Sequence, residues 1–182
     1  MTRWTVHGER AVYESDWVSV GLADIELPNG RRFDHHAVRC GLPAAGVVAH
    51  DPSRGLLLMW RHRFISDAWG WEIPAGGLEP GESAEEGAAR EMLEETGWRP
   101  GPLRYLCETT PMSGVADKRF VLFLTESAEK VGEPIDAHEA ERIEWVPVHE
   151  VRALIARGEM VDGMSLIGVL WTMAFRELGD GP

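Results

Sequence analysis

Apolar and polar residues alternate along much of the first forty residues, as in WTVHG, AVYES and RRFDHHAVRC. Alternation puts every second side chain on the same face of a strand, so it predicts antiparallel strands with one buried face. The turn signal Pro28-Asn29-Gly30 separates two of these stretches. We therefore predict a small N-terminal antiparallel β subdomain over residues 1–42 and a second domain over residues 43–182.

From residue 44 onward the pattern changes to continuous apolar runs. AAGVVAH and LLLMWRHRF flank a turn at residues 51–55 and predict a buried hairpin. Further strands are predicted at LRYLCETT, KRFVLFLTE and RIEWVPV, and helices at residues 148–157 and 164–178. Strands mixed with a few helices predict an α/β fold in which helices flank a mixed sheet.

Residues 83–96 have the signals of a helix at both ends. Ser83 and Glu86 have the spacing of a capping box, and Gly97 stands where a helix is expected to end. Residues 82–95 nevertheless contain six glutamates and a single cation. Because glutamates four apart on a helix repel by roughly 0.2–0.5 kcal/mol a pair, something beyond the helix backbone should offset this repulsion.

The helical positions of these glutamates suggest what that could be. At about 100° per residue, three carboxylates share one arc with small residues: Glu91, Glu94, Glu95, Ala84 and Gly87. Ala89, Met92 and Leu93 lie opposite, and we predict that they pack on the sheet. A divalent cation would bind such an arc through its carboxylate oxygens. A solvated acidic face is the alternative, and the spacing alone leaves both interpretations open.

Composition limits the partners and the compartment. The net charge of −12 over 182 residues argues against a nucleic acid polymer, because binding there depends on neutralising phosphates. Two cysteines, Cys40 and Cys107, are too few for a disulfide framework and favour a reducing compartment. No apolar run is long enough for a membrane helix. We predict a cytoplasmic protein with no membrane partner.

The glycine turn and the helix together carry a recognisable signature. Gly76 is followed after five residues by Glu82, and after seven more by REMLEETGW, residues 90–98. This spacing resembles the Nudix box, except that Trp98 stands where an aliphatic residue is usual. WEIPAGG and Arg61-His62-Arg63 are similar to the ELPAG and glutamine-tyrosine-arginine segments of the ADP-ribose pyrophosphatase branch.

The resemblance implies a Nudix α/β/α sandwich that uses Mg²⁺ or Mn²⁺. It implies hydrolysis of the pyrophosphate bond in a nucleoside diphosphate linked to another moiety, X, giving a nucleoside monophosphate and phosphorylated X. ADP-ribose or another nucleoside diphosphate sugar is the preferred substrate. The resemblance also implies a homodimer built through the N-terminal subdomain.

Roles for individual residues follow from the same resemblance. Glu91 and Glu95 would be the principal metal ligands, with Glu94 assisting in ligation and catalysis, and the carbonyl of Ala75 would be a further ligand. The remaining residues of the box would support these: Glu82, Arg90 and Gly97, of which Arg90 would orient the glutamates by charge-assisted hydrogen bonds.

The catalytic base is expected on the acidic segment before the last strand. Glu139 and Glu141 are both candidates, and counting back from IEWVP favours Glu141. The alternative is that residues 133–141 form only a solvated acidic loop. Such a carboxylate could take the proton of the attacking water or orient it.

Substrate-binding candidates lie on three segments: Arg63, Glu72, Gly76, Gly77 and Met112. The glycines allow a ligand to approach the backbone closely. Met112 belongs to the stretch PMSGVAD, where the ADP-ribose pyrophosphatase branch often has a PGFSDE-like sequence. This departure leaves the diphosphate chemistry intact and leaves ADP-ribose itself open as the substrate.

Three other functions are compatible with a Nudix-like chain. A non-catalytic nucleotide-binding regulator would show degraded box carboxylates, and none is degraded here. A house-cleaning hydrolase of modified nucleoside triphosphates would usually lack the N-terminal strands. An isomerase of isopentenyl diphosphate would need a catalytic cysteine and histidine metal ligands, for which the sequence offers no convincing set.

Overall fold

A computed structural model describes residues 2–135 and 138–175. Contacts between residues divide it into two compact units. The N-terminal unit comprises the residues up to Pro43 together with Thr110–Arg119, and the second unit comprises Ala44–Thr109 and the chain from Phe120 onward.

The N-terminal unit is a three-stranded antiparallel sheet of β1 (Thr5–Glu14), β2 (Ser19–Glu26) and β3 (Arg32–Arg39), in that order. This confirms the antiparallel unit predicted from the alternating pattern. Strand β2 buries alternate residues, among them Ala23 and Ile25. The segment 110–119 joins this unit through hydrogen bonds with Val38, whose N–H donates to Val115 and whose carbonyl accepts from the Asp117 N–H.

The second unit contains nine strands and three helices among the described residues. They are β4 (Ala44–Asp51), β5 (Gly55–Arg63), β6 (Ala68–Glu72), β7 (Ala75–Gly77), α1 (Ala84–Thr96), β8 (Trp98–Pro100), β9 (Arg104–Thr109), β10 (Phe120–Thr125), β11 (Ala128–Lys130), β12 (Arg142–Val146), α2 (Val148–Ala156) and α3 (Gly163–Phe175). Strands β8 and β11, which pair with each other, were not predicted from the sequence. The predicted end of the last helix, residues 176–178, lies outside the described residues.

The main sheet has the order β12-β5-β4-β10-β9, with β6 paired to β5 and β7 paired to β4. It is mixed, because β4 and β10 are parallel while the other pairs are antiparallel. Val48 of β4 packs in one apolar cluster with Val151 of α2 and Val169 of α3. Val47 packs in a second cluster with Met92 of α1. Helices therefore cover both faces, which confirms the predicted α/β/α sandwich.

The predicted hairpin of β4 and β5 is present only at its turn. Residue pairs join His50 with Leu56 and Asp51 with Gly55, after which the two strands diverge. The rest of β4 pairs with β10 on one side and with the short β7 on the other. This parallel pairing joins residues far apart in the sequence, so local pattern could not predict it.

Helix α1 begins and ends as its sequence predicts. Ser83 caps the first turn in a capping box with Glu86, and Gly97 ends the helix in the left-handed conformation with φ 70°. The predicted packing face was partly wrong. Met92 is buried, but Ala88 is its buried neighbour, whereas Ala89 and Leu93 are only half-buried. Among the described residues, no helix has the length and apolar character that crossing a bilayer would require.

Candidate active site

The last turn of α1 brings Glu95 against the glycine turn of β7. The Glu95 side chain is 5% exposed, and its Oε2 accepts a hydrogen bond of 2.8 Å from the Ala75 N–H. Its Oε1 accepts a hydrogen bond of 2.7 Å from Nη1 of Arg61. Burial raises the pKa of Glu95 to about 7, against the opposing effect of Arg61. Two residues predicted to serve one metal site, Ala75 and Glu95, are therefore in direct contact.

Gly76 makes room for the second predicted ligand, Glu91. A Cβ atom at Gly76 would collide with the Glu91 carboxylate, so only glycine allows this carboxylate to lie against the turn. Burial raises the pKa of Glu91, and a hydrogen bond of 2.8 Å from Arg90 opposes that rise. A buried carboxylate with a raised pKa is a group whose charged form a cation would stabilise.

Arg90 offsets most of the repulsion along the helix. It donates to Glu82 at 2.9 and 3.0 Å, to Glu91 at 2.8 Å and to Glu94 at 3.0 Å. Its Nη2 also donates to the carbonyl of Gly77 at 2.9 Å. Hydrogen bonding, chiefly to Glu82, raises the pKa of Arg90. The arginine thus ties the residue before the helix cap, the later turns of the helix and the glycine loop together.

Arg61 is a second, buried arginine that the sequence reasoning did not single out. It is 7% exposed and joins Glu95 to Glu139, whose Oε2 accepts from Nη2 at 2.6 Å. Its Nε is buried without a hydrogen-bond partner among the described residues. The signal was available, because Arg61 lies two residues after Met59 on a strand and so shares its buried face. An inward-pointing arginine requires buried carboxylates.

The two candidates for the catalytic base are placed differently. The Glu139 carboxylate reaches the buried cluster through Arg61. Both side chains are exposed, but the hydrogen bond of Glu141 comes from its main-chain N–H, which donates to the carbonyl of Trp60 at 2.9 Å. That bond fixes the start of β12 beside β5, which holds the preceding loop near the cluster.

Arg63 and Glu72 form an ion pair at the mouth of a separate cavity. Nε and Nη2 of Arg63 donate to the Glu72 carboxylate at 2.5–3.2 Å, and Glu72 is 3% exposed. Glu72 is therefore held by Arg63. The cavity has a volume of about 390 Å³ and is also lined by Ser66, Asp162 and Gly163. Met112 belongs to the N-terminal unit, where its side chain is 55% exposed.

The glutamates of α1 offer the oxygen ligands that a hard divalent cation takes, although these oxygens form ion pairs with arginines. Carboxylate oxygens of Glu91, Glu94 and Glu95 next to a main-chain turn are the ligands that Mg²⁺ prefers. Over residues 2–135 and 138–175, no three acidic, histidine or cysteine side chains converge closely enough to hold an ion as they stand. Arg90 and Arg61 instead supply the positive charge. Because Gly76 leaves room for the Glu91 carboxylate beside the turn, the residues present fit a divalent cation.

Family models match both parts of the chain. The NUDIX domain model matches residues 42–164, and the model of the nucleoside diphosphate sugar hydrolase N-terminal domain matches residues 4–38. The glutamate helix, the glycine turn and the mixed sheet between helices define a hydrolase of phosphorus anhydrides. The chain belongs to the Nudix family and is a Nudix hydrolase of the branch that cleaves nucleoside diphosphates linked to another moiety.

Individual relatives agree with this assignment. The chain is 41% identical to a CMP-5'-(N-acetyl-N-hydroxy-3-aminopropyl)phosphonate hydrolase of Streptomyces rubellomurinus, over 92% of this chain and 81% of the relative. It is 30% identical to an ADP-ribose pyrophosphatase of Mycobacterium tuberculosis, over 80% and 72% of the two chains. A crystal structure of an ADP compounds hydrolase has the same fold, with a TM-score of 0.85, 18% identity and coverage of 96% and 95%. Hydrolases of this family in general require a divalent metal ion.

Proposed function

We propose that this protein hydrolyses the anhydride of ADP-ribose or another nucleoside diphosphate sugar with Mg²⁺ or Mn²⁺ as cofactor. The observation that carries the proposal is the buried contact of Glu95 with the Ala75 turn, beside a Glu91 carboxylate that only Gly76 can admit. These are the positions at which the Nudix box resemblance expects metal ligands.

The cation would be held by Glu91 and Glu95, with Glu94 assisting. When bound, it would neutralise the diphosphate and lower the pKa of a water. Arg90 orients the glutamates through its hydrogen bonds, and Glu82 and Gly97 support the helix at its two ends. Glu139 is the better-placed candidate for the base that takes the proton, because its carboxylate already contacts the cluster.

Substrate binding is proposed for the groups that line the cavity at Arg63 and Glu72 and for the glycine turn. Arg63 provides a half-exposed guanidinium at that cavity, and such a group can bind a phosphate oxygen. Glu72 fixes the Arg63 guanidinium, and Gly76 and Gly77 leave the backbone open to a ligand. Met112, in the stretch PMSGVAD, stays a candidate for substrate binding.

A second candidate substrate is a nucleoside monophosphate joined to a phosphonate. The observation that favours it is the greater identity to the phosphonate hydrolase, 41% against 30% for the ADP-ribose pyrophosphatase of Mycobacterium tuberculosis. The loop PMSGVAD also departs from the sequence often found in ADP-ribose pyrophosphatases. Both substrates contain a P–O–P bridge next to a nucleoside, so the glutamate cluster would serve either.

A substrate panel distinguishes the two. The full chain is incubated with Mg²⁺ and ADP-ribose, GDP-mannose, a CMP-phosphonate or an oxidised nucleoside triphosphate, and nucleoside monophosphate is measured by chromatography. We expect release of the monophosphate from at least one of the first three. Turnover of the oxidised triphosphate alone would favour the house-cleaning alternative, and turnover of none would contradict the proposed function.

We also propose a homodimer formed through the N-terminal β subdomain, residues 1–42. Strand β1 is exposed along its whole length and carries large apolar side chains at the surface, among them Val6, Val12 and Tyr13. Such a surface gains from being covered. Cytoplasmic localisation stays a prediction, and it rests on the low cysteine content together with two free thiols, Cys40 and Cys107.

A further inference from the structure

Arg61 is the residue whose contacts the proposed function leaves unexplained. It lies on β5 with 7% of its surface exposed, and it binds two carboxylates that are distant in the sequence. Glu95 belongs to the last turn of α1, and Glu139 belongs to the loop before β12. One planar guanidinium therefore fixes a predicted metal ligand and a candidate base relative to each other.

Glu95 differs from the other glutamates of the cluster in the arginine with which it pairs. Arg90 forms ion pairs with Glu82, Glu91 and Glu94. Glu95 has an ion pair only with Arg61 among the described residues. The Glu95 side chain is 5% exposed, so little solvent is available to replace this partner. Arg61 is thus the counter-ion of Glu95 in the protein as it stands.

A divalent cation on Glu95 would have to lie near this guanidinium. Two positive charges a few ångströms apart in a poorly solvated site repel strongly. The Arg61 side chain also has an Nε donor that is buried without a partner in the described residues, so its present contacts do not satisfy the whole group. The present position of the Arg61 side chain therefore leaves one of its buried donors without a hydrogen bond.

We propose that Arg61 is an internal counter-ion that competes with the divalent cation for Glu95. In the metal-free protein its guanidinium pairs with the buried Glu95 carboxylate and holds it in place. When a cation binds, Arg61 gives up Glu95 and retains Glu139. Arg61 is a positioning residue in this account, since it acts on the reaction through two carboxylates. The inference rests on the proposed function, because it assumes that the glutamate cluster is the cation site.

Competition and simple support predict opposite changes in metal affinity. If Arg61 only oriented Glu95 for the metal, its removal would weaken binding by roughly 10–100-fold, as loss of such supporting groups usually does. If it competes, its removal should tighten binding, and we expect a gain on the order of tenfold. The sign of the change therefore decides between them.

The experiment measures binding of Mn²⁺ alone by electron paramagnetic resonance, at fixed ionic strength, to wild type and Arg61→Gln. Arg157→Gln is the control, because it removes the same charge from an arginine that also pairs with a glutamate, Glu159, and to which no role in the site is assigned. Its side chain is 51% exposed, so we expect it to change Mn²⁺ affinity by less than about threefold. Tighter binding in Arg61→Gln without a comparable gain in the control variant supports competition.

Unchanged or weaker binding in Arg61→Gln would overturn the inference while leaving the proposed function intact. Absence of Mn²⁺ binding to wild type would overturn both. An equal gain in Arg61→Gln and Arg157→Gln would also contradict competition, because it would reflect net charge alone.

A measurement on the wild-type protein covers the case in which Arg61→Gln does not fold. The Nε–H resonance of Arg61 is assigned by its loss in Arg61→Lys and followed by nitrogen-15 NMR during addition of MgCl₂. Release from Glu95 should shift this resonance as the cation site fills. A resonance that stays unchanged at saturating Mg²⁺ would overturn the inference.

Discussion

The absence of a side chain at Gly76 decides where the Glu91 carboxylate lies. Glu91 lies against the turn only because Gly76 has no side chain. The box resemblance identified both residues, since their spacing is local. The partners of Arg61 could not be predicted, because its two carboxylates are 34 and 78 residues away and no local pattern reports such contacts.

Gly76→Ala should displace the Glu91 carboxylate and weaken divalent metal binding by at least about tenfold. The added methyl group collides with the carboxylate, which must turn away from the site. Mn²⁺ titration measures the effect. Gly8→Ala is the control, because a Cβ there meets nothing within 4 Å, and it should leave Mn²⁺ affinity unchanged. Normal affinity in folded Gly76→Ala would show that Glu91 is not a ligand.

The two candidate bases can be separated by paired substitutions. Glu139→Gln should lower kcat by about 100-fold, which is within the range expected for loss of a general base. The reason is that Oε2 of Glu139 accepts a hydrogen bond of 2.6 Å from Nη2 of Arg61, an arginine that also binds Glu95. Glu141→Gln should have a much smaller effect, because its hydrogen bond to Trp60 uses the main chain and survives the substitution. The reverse order in steady-state kinetics would restore the sequence-based preference for Glu141.

At the scale of elements, helix α1 could be predicted almost to the residue, whereas the sheet could not. The caps at Ser83 and Gly97 depend on neighbours within a few residues. The divergence of β4 from β5 depends on β10, which pairs with β4 from more than seventy residues away. Strands β8 and β11 have three residues each, too few for a periodic pattern.

The end of α1 should be more sensitive to substitution than its beginning. Ser83→Ala removes a capping hydrogen bond and should lower the free energy of unfolding by about 1 kcal/mol. Gly97→Ala should cost more than about 2 kcal/mol, because φ is 70° and a Cβ would also collide with the carbonyl of Gly132. Urea unfolding measures both.

Gly158→Ala is the control for Gly97→Ala. Gly158 has a similar φ of 73°, but a Cβ there meets nothing within 4 Å, so only the conformational cost of about 1–2 kcal/mol is expected. Equal losses in the two variants would show that the contact with Gly132 is unimportant.

The turn between β4 and β5 should contribute stability that depends on pH. Hydrogen bonds from Arg54 hold the pKa of Asp51 below its usual value. Since the folded pKa is lowered, the contribution is present above the unfolded pKa of about 3.9 and is lost as pH falls below it. Asp51→Asn should therefore flatten the fall in melting temperature between about pH 5 and about pH 3. An unaltered slope would contradict this.

At the scale of the whole molecule, the sequence predicted two parts of the chain, and its resemblance to the Nudix box concerned the second. Each part matches its own family model, and each forms its own sheet. The sequence did not indicate that residues 110–119 join the N-terminal unit. Their hydrogen bonds with Val38 are non-local, and the segment has no strand pattern of its own.

The proposed homodimer has a direct test in sedimentation velocity. We expect a species of twice the chain mass of 20.3 kDa at micromolar concentration. Replacing Val6 and Val12, both exposed on β1, with threonine should shift the distribution toward monomer if that strand forms the interface. A wild-type protein that sediments as a single 20 kDa species would contradict the proposal.

The central claim is that the glutamates of α1 hold a divalent cation that hydrolysis of the diphosphate requires. Its most direct test is the rate of nucleoside monophosphate release from the best substrate of the panel, with Mg²⁺, for wild type, Glu95→Gln and Glu85→Gln. The first substitution keeps the size of a side chain that is 5% exposed, and the second removes an exposed charge from the same helix. We predict that Glu95→Gln, or wild type with EDTA, loses at least about 100-fold in rate while Glu85→Gln stays near wild type. Near-normal turnover by folded Glu95→Gln would contradict the account.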